Sequence, residues 1–467
     1  MAEKQKTISK EVSLKGKGLH SGKEVKLIFK PADINTGYRF KRIDIDQQPV
    51  IKALAENVVN TARGTTIEEG GVQIMTIEHV CAALYGLGID NVIIELDGPE
   101  VPILDGSSRF FVEALKRAVI IEQQADREYY ILKQKVVYTD EKNDIEIVAY
   151  PDDKFSIDVH IDYNSKVLGN QYAAISSIQD FESEISSSKT FVFLHEIEAL
   201  AKSNLIKGGD LDNAIVIVDS QISQQELDRL AELFNKPKID ILPEGILNNT
   251  ELTYQNEPAR HKLLDVIGDI SLIGLPLKAK IIARKPGHFA NTEMAKIIRK
   301  MVKKELSKPV APYYNPNDIP LLNINQIKKR LPHRPPFLLV DKITYMDEWT
   351  VCGIKNVTMN EAFFVGHYPE EPIMPGVLQI ESMAQVGGIL LLSRVPDPEN
   401  YSLYFMKIEN IRFKQKVVPG DTLNIRMRLL EPIKRGIGVT FGQIFVGDTL
   451  VMEGNFMAQL ARRQDVK

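Results

Sequence analysis

Apolar positions along the first part of the chain alternate between strand-like and helix-like spacing. Residues 25–29, Val-Lys-Leu-Ile-Phe, predict a strand. Residues 76–85 carry Ile77, Val80, Cys81 and Leu84 at helical spacing. They predict a helix with Thr76 as its cap and Gly86 and Gly88 stopping it. A β-branched strand over 91–96 and an amphipathic helix over 109–119 follow. The pattern restarts after Arg127, with strands predicted over 129–137, 145–149 and 155–161. Helices around 195–202 and over 258–273 come next. A strand over 279–283 then leads through Pro286-Gly287-His288 into a basic helix over 292–306. This succession predicts an α+β chain that begins as two α/β layers, 1–126 and 127–306, with sites made between them. Neither a low-complexity tract nor a fixed-period repeat is visible.

The pattern then changes. Pro309, Pro312, Pro316 and Pro320, with polar residues between, forbid a regular helix over 307–320 and predict an extended linker. Beyond it, over 321–467, lies one very apolar segment, 376–393. Strand signals follow at 402–407, 411–418, 422–430, 438–446 and 449–460. One buried helix wrapped by an antiparallel sheet is the natural packing.

Composition narrows the picture only a little. A length of 467 residues suits about three domains. A formal charge of −4 gives no electrostatic case for a nucleic-acid partner. Cys81 and Cys352 are the only cysteines, which argues against a disulfide framework and favours a reducing cytoplasm. Residues 1–20 are polar and lysine-rich, so no signal peptide is expected. Apolar runs such as 389–392 are too short to span a bilayer, so no transmembrane segment is expected and any membrane link comes through a substrate.

The chemistry concentrates in two places. On a helix, His261 and Asp265 lie one turn apart and share a face. Leu263, Leu264, Ile267 and Ile270 form an apolar face, while His261, Asp265 and Asp269 form a separate polar stripe. His79 completes two imidazoles and one carboxylate, a donor set suited to a catalytic zinc with one position left to water. Glu78, beside the first imidazole, is placed to take a proton from that water. Taken singly, each histidine is more often a satisfied core or surface side chain, and polar pairs at this spacing are common on exposed helices.

The wider pattern decides between these readings. Gly18-Leu19-His20-Ser21-Gly22, Thr76-Ile77-Glu78-His79, Gly86-Leu87-Gly88-Ile89-Asp90-Asn91 and Pro102-Ile103-Leu104-Asp105-Gly106 occur in order. Lys189-Thr190-Phe191, Arg260-His261-Lys262-Leu263-Leu264-Asp265, Gly268-Asp269 and Gly287-His288 follow. Through these motifs residues 1–306 resemble the UDP-3-O-acyl-N-acetylglucosamine deacetylases, zinc amidases of lipid A synthesis. The resemblance implies a two-layer α/β sandwich of two similar subdomains, and zinc held by His79, His261 and Asp265. It implies Glu78 as base, Thr190 opposing charge on the amide oxygen, His288 as acid supported by Asp269, and Lys262 beside the reacting group. Leu19 and Phe191 are implied to contact substrate, and 194–218 to form the passage for its acyl chain. Asn60-Thr61-Ala62-Arg63-Gly64 departs from the familiar form of a loop near the site.

In the C-terminal region, Glu381 stands in the middle of the apolar segment, with Val377, Leu378, Ala384 and Gln385 three and four residues away. A buried, unpaired carboxylate there has a raised pKa. A single charge on a solvent face is the commoner case. His367 precedes the segment in Gly366-His367-Tyr368-Pro369. With the stretch from Leu331 to Asp341, Pro372-Ile373-Met374-Pro375-Gly376-Val377, Glu381-Ser382-Met383-Ala384-Gln385 and Phe413-Lys414, these residues resemble the (3R)-3-hydroxyacyl-acyl-carrier-protein dehydratases of the hotdog fold. That resemblance implies His367 as base, Glu381 as acid, and the Gly376 N–H as donor to the thioester oxygen. It also implies sites shared between chains, and a homo-hexamer. Carrier protein is expected to dock on basic residues, with His333, Arg334, Lys414 and Lys416 as candidates. Glu370-Glu371 adds acidity to a loop more neutral in many relatives.

The expectation is a bifunctional cytoplasmic enzyme acting on UDP-3-O-acyl-N-acetylglucosamine and on 3-hydroxyacyl-acyl-carrier-protein, with zinc at the first site and no cofactor at the second. The rivals are a non-catalytic zinc- and sugar-nucleotide-binding module, fused to a hotdog thioesterase or a dehydratase/isomerase. Intact Glu78, Thr190 and His288, and Glu rather than Asp at position 381, weigh against them.

Overall fold

The computed structural model describes residues 3–197, 213–219, 222–233, 239–248 and 251–463. The chain divides into two units, Met1–Leu306 and Ser307–Lys467. The first unit is built twice on one plan. In spatial order its first five-stranded sheet runs Val12–Lys17, Glu24–Pro31, Val92–Leu96, Tyr38–Arg42, Val50–Lys52. The second runs Val136–Asp140, Ile145–Pro151, Leu277–Arg284, Phe155–Asp162, Asn170–Ile175, with Tyr130–Ile131 added beside Leu277–Arg284. Counted along the chain, both sheets read first, second, fifth, third, fourth. In both, the fifth strand is antiparallel to the second and parallel to the third. A helix precedes each fifth strand, Glu78–Gly86 and Glu257–Ile270, and another follows it, Arg109–Arg117 and His288–Leu306.

Each repeat also carries an insertion between its fourth strand and its first helix. The first holds a small sheet, Val58–Asn60, Thr66–Glu69 and Val72–Ile74. The second holds the parallel pair Phe191–Phe193 and Ile215–Ile217. The strands bury one face in the expected alternation: along Leu277–Arg284, Leu277, Ala279, Ile281 and Ala283 are buried and Lys278, Lys280 and Arg284 are not. The two equivalent helices then meet backbone to backbone. A Cβ on Gly268 would lie 2.2 Å from the Glu78 carbonyl oxygen, so only glycine allows this approach.

Three expectations need correction here. The first helix starts at Glu78, because Thr76 is left-handed (φ 60°) and gives its hydroxyl to the Glu100 carboxylate at 3.0 Å instead of capping. The strand expected over 129–137 is two pieces, Tyr130–Ile131 and Val136–Asp140. The basic helix begins at His288, earlier than residue 292. Of the helix expected over 195–202 and the passage over 194–218, residues 198–212 lie outside the described residues.

The second unit is a six-stranded antiparallel sheet in the order Lys342–Met346, Thr350–Asn356, Thr422–Leu429, Ile437–Val446, Thr449–Arg462, Tyr401–Phe413. The helix Gly376–Leu392 packs against it through Met383, Val386, Ile389 and Leu390, all fully buried. The strands expected over 402–407 and 411–418 are one strand, Tyr401–Phe413. Its register shifts between Glu409 and Arg412, around left-handed Asn410, and the bulge breaks the alternation without ending the pairing. Residues 307–320 form neither helix nor strand, but they do not hang free. The Pro312 carbonyl accepts the Asn424 amide at 2.6 Å, and Tyr313, Tyr314 and Ile319 line a cavity of about 340 Å³ with Cys352 and Arg426. Among the described residues no helix is long and apolar enough to cross a membrane.

Candidate active sites

The plan of the first unit brings its polar residues together. Glu78 and His79 open the first helix, and His261, Asp265 and Asp269 line its counterpart. His288 begins the following helix, and the second insertion adds Thr190 and Phe191. A cavity of about 390 Å³ collects Leu19, Glu78, His79, Thr190, Phe191, His261, Lys262, Asp265 and His288, while Asp269 stands behind His288.

One ligand atom each from His79, His261 and Asp265 lies within 4.8 Å of the others. His79 Nε2 and His261 Nε2 are 3.8 and 3.4 Å from Asp265 Oδ1. The His261 Nδ1 faces the Ser188 carbonyl at 3.1 Å, which places its proton there and turns the Nε2 lone pair toward the cluster. Burial holds both histidines below their usual pKa, His79 at about 3. Burial alone would raise Asp265, but the neighbouring cations Lys262 and His288 hold it below the carboxylate range. Its Oδ2 accepts from Lys262 Nζ at 2.9 Å, yet its buried Oδ1 has no hydrogen-bond partner. An unpaired buried carboxylate oxygen costs more than the ~1–3 kcal/mol of a neutral group. Two neutral imidazoles aimed at such an oxygen fit a divalent metal ion.

Two proton-transfer groups flank this triad. The Glu78 carboxyl is pushed up to about 7 by burial. For His288 burial works downward, but Asp269, Asp265 and Glu78 lift it to about 9. Its Nδ1 meets Asp269 Oδ2 at 3.0 Å, and its Nε2 points inward, 4.0 Å from Glu78 Oε1 and 3.8 Å from Asp265 Oδ2. Tyr163, Phe191 and Phe193 make an aromatic cluster, with centroids 5.5–6.3 Å apart, and Lys262 Nζ sits 5.6 Å above the Phe191 ring.

In the second unit Glu381 lines a different cavity, of about 340 Å³. It is neither fully buried nor unpaired, which corrects the reading from the apolar sequence around it. Its side chain is 18% exposed, Gln385 Nε2 donates to its Oε1 at 2.9 Å, and His333 Nε2 lies 3.4 Å away. Gln385 also takes the Leu339 N–H and donates to the Phe337 carbonyl, tying the segment before the sheet to the helix. His367 Nδ1 faces the Ile373 carbonyl at 2.7 Å, which leaves Nε2 as an acceptor. His367 does not line the Glu381 cavity. Gly376 is the first residue of the helix.

The UDP-3-O-acyl N-acetylglycosamine deacetylase (LpxC) family model matches residues 5–242 and 235–300, and the FabA-like domain model matches 331–455. Over 461 residues the chain is 49% identical to the "Bifunctional enzyme LpxC/FabZ" of Bacteroides thetaiotaomicron, covering 99% of this chain and 100% of that one. It is 48% identical over 463 residues to the enzyme of the same name from Porphyromonas gingivalis, with 99% and 100% covered. The chain belongs to the bifunctional LpxC/FabZ family. The UDP-3-O-acyl-N-acetylglucosamine deacetylase of Myxococcus xanthus is 39% identical over 306 residues, 65% of this chain and 87% of that one.

Membership makes the chain an enzyme with a deacetylase and a dehydratase part. Thr65, Asn291 and Tyr163 are among the residues at the first site that escaped the sequence reading. Thr65 and Asn291 both donate to Asp269, and Tyr163 joins the aromatic wall. None falls in a motif with an obvious chemical role. In the dehydratase part, His333 faces Glu381. Lys414 and Lys416 are already paired, with Glu453 at 2.9 Å and with Glu371 at 2.5 Å.

Proposed function

We propose that the first unit hydrolyses the acetamide of UDP-3-O-(3-hydroxyacyl)-N-acetylglucosamine with one zinc ion. The second dehydrates (3R)-3-hydroxyacyl-acyl-carrier-protein to the trans-2-enoyl thioester. Both act in the cytoplasm, consistent with two free cysteines. The observation that carries the reading is the unpartnered Asp265 Oδ1 among two imidazoles, with a carboxyl near 7 on one side and an imidazole near 9 on the other. Bound zinc supplies Lewis acidity toward the amide carbonyl and toward water. Glu78 takes a proton from the attacking water. His288 gives one to the departing amine, its charge supported by Asp269. The Thr190 hydroxyl opposes charge on the amide oxygen. Leu19, Phe191 and Lys262 hold the substrate. Conversion of both substrates by one purified preparation tests the reading.

At the second site His367 Nε2 removes the C2 proton, and the C3–oxygen bond breaks as Glu381 protonates the leaving hydroxyl, releasing water. The Gly376 N–H, at a helix start, faces the enolate-like thioester oxygen. Two chains share each site, in a hexamer. Support comes from the absence of His367 from the Glu381 cavity and from the exposed apolar edge strand Tyr401–Phe413. Its Tyr404, Phe405, Met406 and Ile408 are 40–51% exposed. Met406→Glu in the full chain is expected to dissociate the assembly in sedimentation velocity and to remove dehydration while sparing deacetylation. A dissociated variant that still dehydrates at the wild-type rate would defeat the shared site.

A further inference from the structure

We propose that Thr65 is a positioning residue that sets both proton-transfer groups of the deacetylation at once. The inference rests on the roles given above to Glu78 and His288. Thr65 is fully buried within the first insertion, between the strands Val58–Asn60 and Thr66–Glu69. Its backbone N–H donates to Glu78 Oε2 at 2.9 Å. Its hydroxyl donates to Asp269 Oδ1 at 2.6 Å. Asp269 Oδ2, in turn, holds His288 Nδ1 at 3.0 Å and takes a second bond from Asn291 Nδ2 at 2.9 Å.

The bookkeeping of donors makes this specific. A threonine hydroxyl has one proton, and the carboxylate at 2.6 Å claims it. The 3.5 Å approach of Thr65 Oγ1 to His288 Nδ1 is then not a second donation. With Oδ1 occupied by Thr65, the other carboxylate oxygen turns to His288. Nδ1–H donates to that oxygen, and Nε2, which carries the acid proton, points into the cavity beside Glu78. The same residue therefore fixes the base through its backbone and the acid through its side chain. It also joins the two repeats, since Glu78 belongs to the first helix and Asp269 to its counterpart. Gly64 allows the approach. Its φ is +155°, and a Cβ there would lie 3.0 Å from Glu78 Oε1. A threonine that merely filled the core would not spend both donors on the two carboxylates flanking the site.

The test is Thr65→Val in the full chain, which keeps the shape and the backbone N–H but removes the hydroxyl. Expected is a loss of about 10–100-fold in deacetylation kcat, the range found when outer-shell partners are removed. KM, bound zinc per chain and the dehydration rate should stay at wild-type values, and Thr65→Ser should restore most of kcat. In an Asp269→Asn background the valine substitution should cost much less, because the hydroxyl acts through that carboxylate. Four results overturn the proposal: a wild-type kcat in Thr65→Val, equal loss of zinc and kcat, no recovery with serine, or a full independent penalty in the Asp269→Asn background. Failure of the wild-type chain to deacetylate would instead remove the functional reading beneath it.

Discussion

Glu78→Gln is expected to lower kcat for deacetylation by about 10²–10⁴-fold, as for other positioned acids and bases. The substitution keeps the size of the side chain and an oxygen for the Thr65 N–H, but not a group that can accept a proton from water. Glu78 lies next to His79 in sequence, yet the three groups placed to hold a metal ion are His79, His261 and Asp265. Bound zinc per chain should therefore not fall, and neither should dehydration, whose residues lie in the other unit. Elemental analysis beside both assays reads all three quantities. Near-normal turnover by a zinc-loaded Glu78→Gln protein would assign the base elsewhere. Loss of zinc with activity would make Glu78 a ligand.

Glu381→Gln is expected to cost dehydration a similar factor, about 10²–10⁴-fold in kcat, and to leave deacetylation unchanged. Gln385 Nε2 can still donate to the amide oxygen at position 381, so the helix and the segment it anchors should keep their places. What is lost, on the proposed mechanism, is the acid proton for the 3-hydroxyl. Full turnover of a 3-hydroxyacyl-carrier-protein by this variant would take Glu381 out of the mechanism and direct attention to His333, its neighbour at 3.4 Å.

How much of this was legible in the sequence follows from the range of the interactions involved. His261, Asp265 and Asp269 declared themselves because helical spacing alone puts them on one stripe, apart from Leu263, Leu264, Ile267 and Ile270. His79 and His288 needed the longer pattern of motifs, since nothing local says that two distant helices will meet. The repeat in the first unit was implied only by the family resemblance, because it preserves strand order and not spacing. The two insertions differ in length and content, so no fixed period survives. Thr65 was invisible for a related reason: its partners are 13 and 204 positions away, and a threonine before a strand reads as ordinary β structure. In the second unit the apolar run around Glu381 suggested an isolated buried carboxylate. The i+4 glutamine that satisfies it was in view, but its side-chain direction was not. The single edge strand Tyr401–Phe413 was split in the reading because a bulge at Asn410 breaks the period of two while the pairing continues.

The central claim is that one chain carries two independent reactions, of which only the first needs a metal. It is tested most directly on one preparation of the full chain, assayed with both substrates before and after chelation and again after zinc is restored. The account predicts that deacetylation disappears as the metal leaves and returns with zinc, while dehydration stays constant throughout. Equal loss of both activities in a protein that remains folded, or deacetylation that persists without metal, would contradict it.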